Sequence, residues 1–270
     1  MHTTHFLTNG EIQSAYHDVG SGPPFVLVHG FTGSKLDFHD QLEWFEDIRR
    51  LIALDQRGHG ESSNYGPYDF DQLVTDLLGF LDELHIAQCD LLGHSMGGMV
   101  AMRAVTRHPE RFRSLILMDT SAEPIEMWSD EQRGEFDRLV EREGCPALLP
   151  MMREQPSNKA QQRGVDYLGE EEHWRRIGVK LAQMDCEAFS AFSAELTNNT
   201  SSLETLKEIR CPTTILVGAK DTPFIKPSNH MAAAIPGARL VTIPFAAHCP
   251  QYENAEVWRD AIRTHLTELA

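Results

Sequence analysis

Six short apolar runs recur along the 270-residue chain: Phe25 to Val28, Leu51 to Leu54, Cys89 to Leu92, Leu115 to Met118, Thr213 to Val217 and Leu240 to Ile243. Runs of this length that are apolar without alternation belong to strands buried on both faces. Between them lie helical patterns. Phe70, Leu73, Val74, Leu77, Leu78, Leu81 and Leu84 keep the spacing of one buried helix face, with Asp69 and Gln72 placed as a capping pair. Val257, Trp258, Ala261, Ile262, His265, Leu266 and Leu269 repeat the pattern near the C-terminus. Alternating strand and helix signals require an α/β fold, a mostly parallel sheet covered by helices on both faces. At the other end, Thr4 to His17 alternates around Asn9-Gly10, which predicts an opening hairpin. The alternation is broken only from about residue 121 to 206, where helical patterns rich in Met, Trp and Phe predict an insertion between two strands.

Chemistry is concentrated at the ends of the apolar runs. Gly93-His94-Ser95-Met96-Gly97 directly follows one run and precedes a helix. A sharp strand-to-helix turn strains the serine and projects it above the sheet, and small residues two positions on either side keep the folded backbone from colliding. A serine hydroxyl needs a base, and the base needs an orienting group. Asp221 follows the run that starts at Thr213, and His248 follows the last run, so Ser95, Asp221 and His248 stand in the chain order this motif uses. Asp119, one strand earlier on the same rim, is a rival acid to which Asp221 is preferred. His29-Gly30-Phe31 ends the first long run, and the N–H groups of Phe31 and Met96 are the candidate donors to an oxyanion. His94, Met127 and Trp128 are candidates for a substrate pocket.

These motifs, together with Asp55-Gln56-Arg57-Gly58-His59-Gly60-Glu61-Ser62 and Gly218-Ala219-Lys220-Asp221, resemble the α/β-hydrolase superfamily over Phe25 to Met118 and Cys211 to the C-terminus. The resemblance implies an eight-stranded, mostly parallel sheet, a helical cap inserted after strand six, and a Ser-His-Asp triad. It divides the chain into a core of residues 1–120 and 207–270 and a cap of residues 121–206. The loop from Asp55 to Ser62 is implied to be structural, so His59 is given no catalytic role. Dehalogenases and epoxide hydrolases of the superfamily carry Asp where this chain has Ser95, which leaves esterases, enol-lactonases, carbon–carbon bond hydrolases and perhydrolases.

Composition narrows the partners. With 40 acidic and 24 basic residues the formal charge is −16, which argues against a nucleic-acid binder. The five cysteines are scattered and form no Cys-x-x-Cys pair, so neither a disulfide framework nor a zinc cluster is expected. No apolar run reaches membrane-spanning length, and no secretion signal stands at Met1 to Gly10, so a cytoplasmic protein is expected. The reading is a serine hydrolase that cleaves small carboxylic esters through an acyl-enzyme on Ser95, with no cofactor or metal; the alternatives are a lactonase or carbon–carbon bond hydrolase with the same triad and, behind these, a small-ligand receptor or perhydrolase on the same fold. Oligomeric state is not readable.

Overall fold

The computed structural model describes residues 2–125, 128–155 and 157–268. Its strands are β1 His5–Asn9, β2 Ile12–Gly20, β3 Pro24–Val28, β4 Arg50–Leu54, β5 Cys89–His94, β6 Phe112–Met118, β7 Thr213–Gly218 and β8 Arg239–Ile243. They form one sheet in the order β1-β2-β4-β3-β5-β6-β7-β8. The hairpin β1/β2 and the pair β2/β4 are antiparallel, and every other pairing is parallel. Gly10 takes the positive φ, 60°, that the hairpin turn needs.

The helices are α1 Phe70–Glu83, α2 Met96–Arg107, α3 Asp130–Glu143, α4 Leu148–Glu154, α5 Lys159–Leu168, α6 Glu170–Ala182, α7 Cys186–Asn198, α8 Thr222–Ala234, α9 Pro250–Glu253 and α10 Ala255–Thr267. None of the described helices is long and apolar enough to cross a membrane.

Side-chain alternation along the buried strands divides the core in two. On β3, Val26 and Val28 join α1 and α2 on one face, while Phe25 and Leu27 join Trp258, Ile262 and Leu266 of α10 on the other. The first layer also takes in Val140, Leu181, Phe189 and Phe192, so α3, α6 and α7 share a continuous apolar interior with the sheet. These helices belong to the stretch between β6 and β7, which contains five helices and, among the described residues, no strand.

Three local expectations need correction. Asp69 caps α1 by accepting from Gln72 N–H at 2.7 Å, but the Gln72 side chain bonds Asp76 instead of completing a reciprocal pair. The run at Leu240 is only half-buried, because β8 is the edge strand and lacks a neighbour on one side. Val257 is exposed, leaving the stripe of α10 to Trp258, Ile262, His265 and Leu266, while Leu269 lies outside the described residues.

Candidate active site

The turn between β5 and α2 places Ser95. Its φ of 51° with ψ of −119° lies in the left-handed region that a side-chain-bearing residue adopts only under constraint. The constraint comes from β6 and the loop that follows it. Ser95 N–H donates to Met118 O at 2.9 Å, and the Thr120 hydroxyl donates to Ser95 O at 2.6 Å. Gly97 must be glycine, since a Cβ there would fall on the carbonyl oxygens of Val28 and His29. Helix α2 starts at Met96, whose N–H is a first-turn donor with no acceptor within the helix. The loop after β3 presses on the same point: a Cβ on Gly30 would lie 2.9 Å from Ser95 Cβ, which puts the Phe31 backbone beside the serine.

The sheet brings Asp221 and His248 to that rim. Ala219 N–H donates to Ile243 O at 2.9 Å and Lys220 N–H to Ala246 O at 2.7 Å, stitching the loop after β7 to the loop after β8. His248 Nδ1–H then donates to Asp221 Oδ2 at 2.7 Å. This bond fixes the tautomer and leaves Nε2 as the basic nitrogen. His248 is half-buried, whereas Asp221 is buried at the first residue before α8.

Two further side chains hold His248, and sequence reasoning missed both roles. His94 Nε2–H donates to the His248 carbonyl oxygen at 2.8 Å, with the two rings 4.8 Å apart. Burial, reinforced by His248, pushes His94 down to about 3, so it stays neutral and is too weak a base to compete. Glu253, at the end of α9, clamps the loop by accepting the N–H of Ala247, the residue before His248. No local signal announces such a clamp, because it acts through the backbone of a loop. Cys249 itself is a poor nucleophile, since burial pushes its thiol well up.

Ser95, His94, His248 and Phe31 line a cavity of about 420 Å³. Its opposite wall is Met152, Trp174, Ile177 and Leu181, from α4 and α6. The wall also carries Arg176 and Lys180, and each is already paired with a carboxylate. Lys180 Nζ reaches Asp37 at 2.6 Å, and Arg176 forks onto Asp40 at 2.5 and 3.0 Å. Trp128 is not among the lining residues. It stands one layer back, in edge contact with Phe31 and Phe136 and stacked on Phe189, so the expected pocket residue supports the wall instead of forming it. Met127 lies outside the described residues. A larger recess of about 590 Å³ beside α1 and α2 is lined by polar groups such as Arg103, Arg107 and Glu195 and shares none of these residues.

The loop from Asp55 to Ser62 is a structural joint. Asp55 is buried against Lys35 Nζ at 2.6 Å and accepts Glu61 N–H at 2.9 Å, and His59 stacks on Phe192 away from the cavity.

Residues 25–261 match the Alpha/beta hydrolase family, and the chain belongs to that family. It is 28% identical over 218 residues to 3-oxoadipate enol-lactonase 2 of Acinetobacter baylyi, covering 80% of this chain and 78% of that protein. A thermophilic esterase from Thermogutta terrifontis superposes with a TM-score of 0.83 at 30% identity, covering 99% of each chain. The enol-lactonase of Burkholderia xenovorans superposes with a TM-score of 0.83 at 25% identity, covering 97% of this chain and 100% of that one. Family and fold make this chain a hydrolase.

Proposed function

We propose that this protein hydrolyses small carboxylic esters through an acyl-enzyme on Ser95. The observation that carries the reading is the 2.7 Å bond from His248 Nδ1 to Asp221, on the same cavity as a serine held at a strained φ. Ser95 Oγ attacks the ester carbonyl while His248 Nε2 takes its proton. Asp221 holds the imidazole and stabilises its cationic form. The N–H groups of Phe31 and Met96 receive the developing oxyanion. His248 then protonates the leaving alcohol, and a water activated by the same nitrogen releases the acid. The helices of residues 121–206 act as the cap that sizes the acyl group.

The pairing of the cavity's cations supports a neutral substrate. A substrate carboxylate entering this wall would have to displace Asp37 from Lys180 or Asp40 from Arg176, both charge-assisted bonds. That disfavours carbon–carbon bond hydrolysis of acidic diketones. A lactone is an internal ester and follows the same steps, a reading to which the enol-lactonase relatives lend support.

The test is a p-nitrophenyl ester series from acetate to long acyl chains, with Ser95→Ala as the blank. Turnover that disappears in the variant and peaks at short to medium acyl length is expected. Saturable ligand binding without turnover would favour a receptor.

A further inference from the structure

A second carboxyl group sits against the proposed acid and has no part in the mechanism above. Asp119 follows β6, is fully buried, and adopts a φ of 43°. Its N–H donates to Leu216 O at 2.9 Å, and its Oδ1 accepts Gly218 N–H at 2.8 Å. Its Oδ2 is buried and, among the described residues, meets no hydrogen-bond donor. One carboxyl oxygen of Asp119, one of Asp221 and one ring nitrogen of His248 all lie within 4.8 Å of one another. The two carboxyl groups are within side-chain hydrogen-bonding reach, and Glu253 is a third acid nearby. Among the described residues no lysine or arginine pairs with Asp119 or Asp221.

Two carboxylates in contact, buried and without a cation between them, cannot both be charged; one keeps a proton. The structure decides which one. Asp221 already accepts the His248 Nδ1–H and stands beside the half-buried imidazole. Asp119 lies deeper and receives a single backbone donor on one oxygen. We propose that Asp119 is a positioning residue of this site, a carboxylic acid whose Oδ2–H donates to the Asp221 carboxylate and holds it against His248. The proton stays on Asp119 throughout the cycle and no bond to substrate is made. Burial, together with the Asp221 charge, pushes the Asp119 carboxyl well above the usual carboxylate range, in keeping with this role. The inference rests on the assignment of Asp221 as the acid of the hydrolytic site.

The test compares Asp119→Asn and Asp119→Ala in the full chain with p-nitrophenyl butyrate, reading kcat and KM separately across pH. An Asn amide can accept from Gly218 N–H and donate to Asp221, so that variant should stay within about threefold of wild type with its acid limb unmoved. Ala should lower kcat by about 10²-fold with little change in KM, because the imidazole loses its orientation. An Asn variant as impaired as Ala would overturn the proposal by showing that the charge is needed, and so would an Ala variant as active as wild type. If Ala fails to fold, carboxyl ¹³C NMR of aspartate-labelled wild type decides. One resonance should remain in the protonated position at pH 7 and be missing in Asp119→Asn, whereas complete ionisation by that pH would overturn the proposal. The NMR result concerns Asp119 alone, while failure of the hydrolytic reading would show as turnover surviving Ser95→Ala.

Discussion

Asp90 and Asp119 are both fully buried aspartates on the central strands, yet they lie at opposite ends of the sheet in opposite surroundings. Asp90, at the start of β5, accepts from Arg49 Nε at 2.8 Å, Arg113 Nε at 2.8 Å and the Ser114 hydroxyl at 2.7 Å. Burial alone would raise its carboxyl, but bonds from Arg113, Ser114 and Arg49 hold it below the usual range. Asp119, at the end of β6, faces Asp221 and Glu253 instead of arginines. Strands of a parallel sheet share one direction, so their loops collect the working side chains on one rim. The start of the strands can be saturated with ion pairs, since it only has to stay folded. The rim keeps carboxyl groups together without a cation and a serine under backbone strain, which a purely structural site would have no reason to retain.

The comparison is broken most sharply by substitutions that should hurt one end and spare the other. Asp221→Asn removes the group that orients His248, so kcat/KM should fall by about 10⁴-fold while the melting temperature changes little. A loss confined to stability would move the acid elsewhere. Asp90→Ala leaves Arg49 buried without its carboxylate and should destabilise the protein by about 3–5 kcal/mol in denaturant titrations, with kcat of the folded fraction unchanged. A catalytic loss without a stability loss would reverse the roles of the two ends.

A smaller effect concerns pH. Burial, with His29 nearby, lowers His59 to about 3, below the value near 6.5 of an unfolded histidine. As pH falls below about 6.5, the unfolded chain takes up a proton that the native protein refuses, so stability drops, by about 2 kcal/mol at pH 5 from this residue. The Asp90 contribution has a different window. Its depressed carboxyl supplies stability that is complete above the unfolded carboxylate value near 3.9 and disappears only below that. Melting temperatures from pH 8 to 4 should therefore fall first through the histidine range, and a flat curve down to pH 5 would contradict the burial of a neutral His59.

What could be read from the residues was local. Each buried strand is a short apolar run, and the order of Ser95, Asp221 and His248 along the chain follows from strands that end on one rim. The features that escaped depend on distant pieces meeting. Trp128, expected in the pocket, packs behind Phe31, and the cavity wall is made by Met152 of α4 with Trp174, Ile177 and Leu181 of α6, whose helical spacing equally suits an interior stripe. The Glu253 clamp and the bond from His94 to the His248 carbonyl involve backbone atoms, which carry no sequence signal. The half-exposed β8 reflects its place at the sheet edge, a property of strand order and not of its own residues.

The central claim is a covalent intermediate on Ser95, and it can be tested by trapping. Wild-type protein mixed with p-nitrophenyl butyrate and quenched in acid within the first turnover should carry one added butyryl group, mapped by mass spectrometry to the peptide containing Ser95. Sustained hydrolysis with no adduct at Ser95, undiminished in Ser95→Ala, would contradict it.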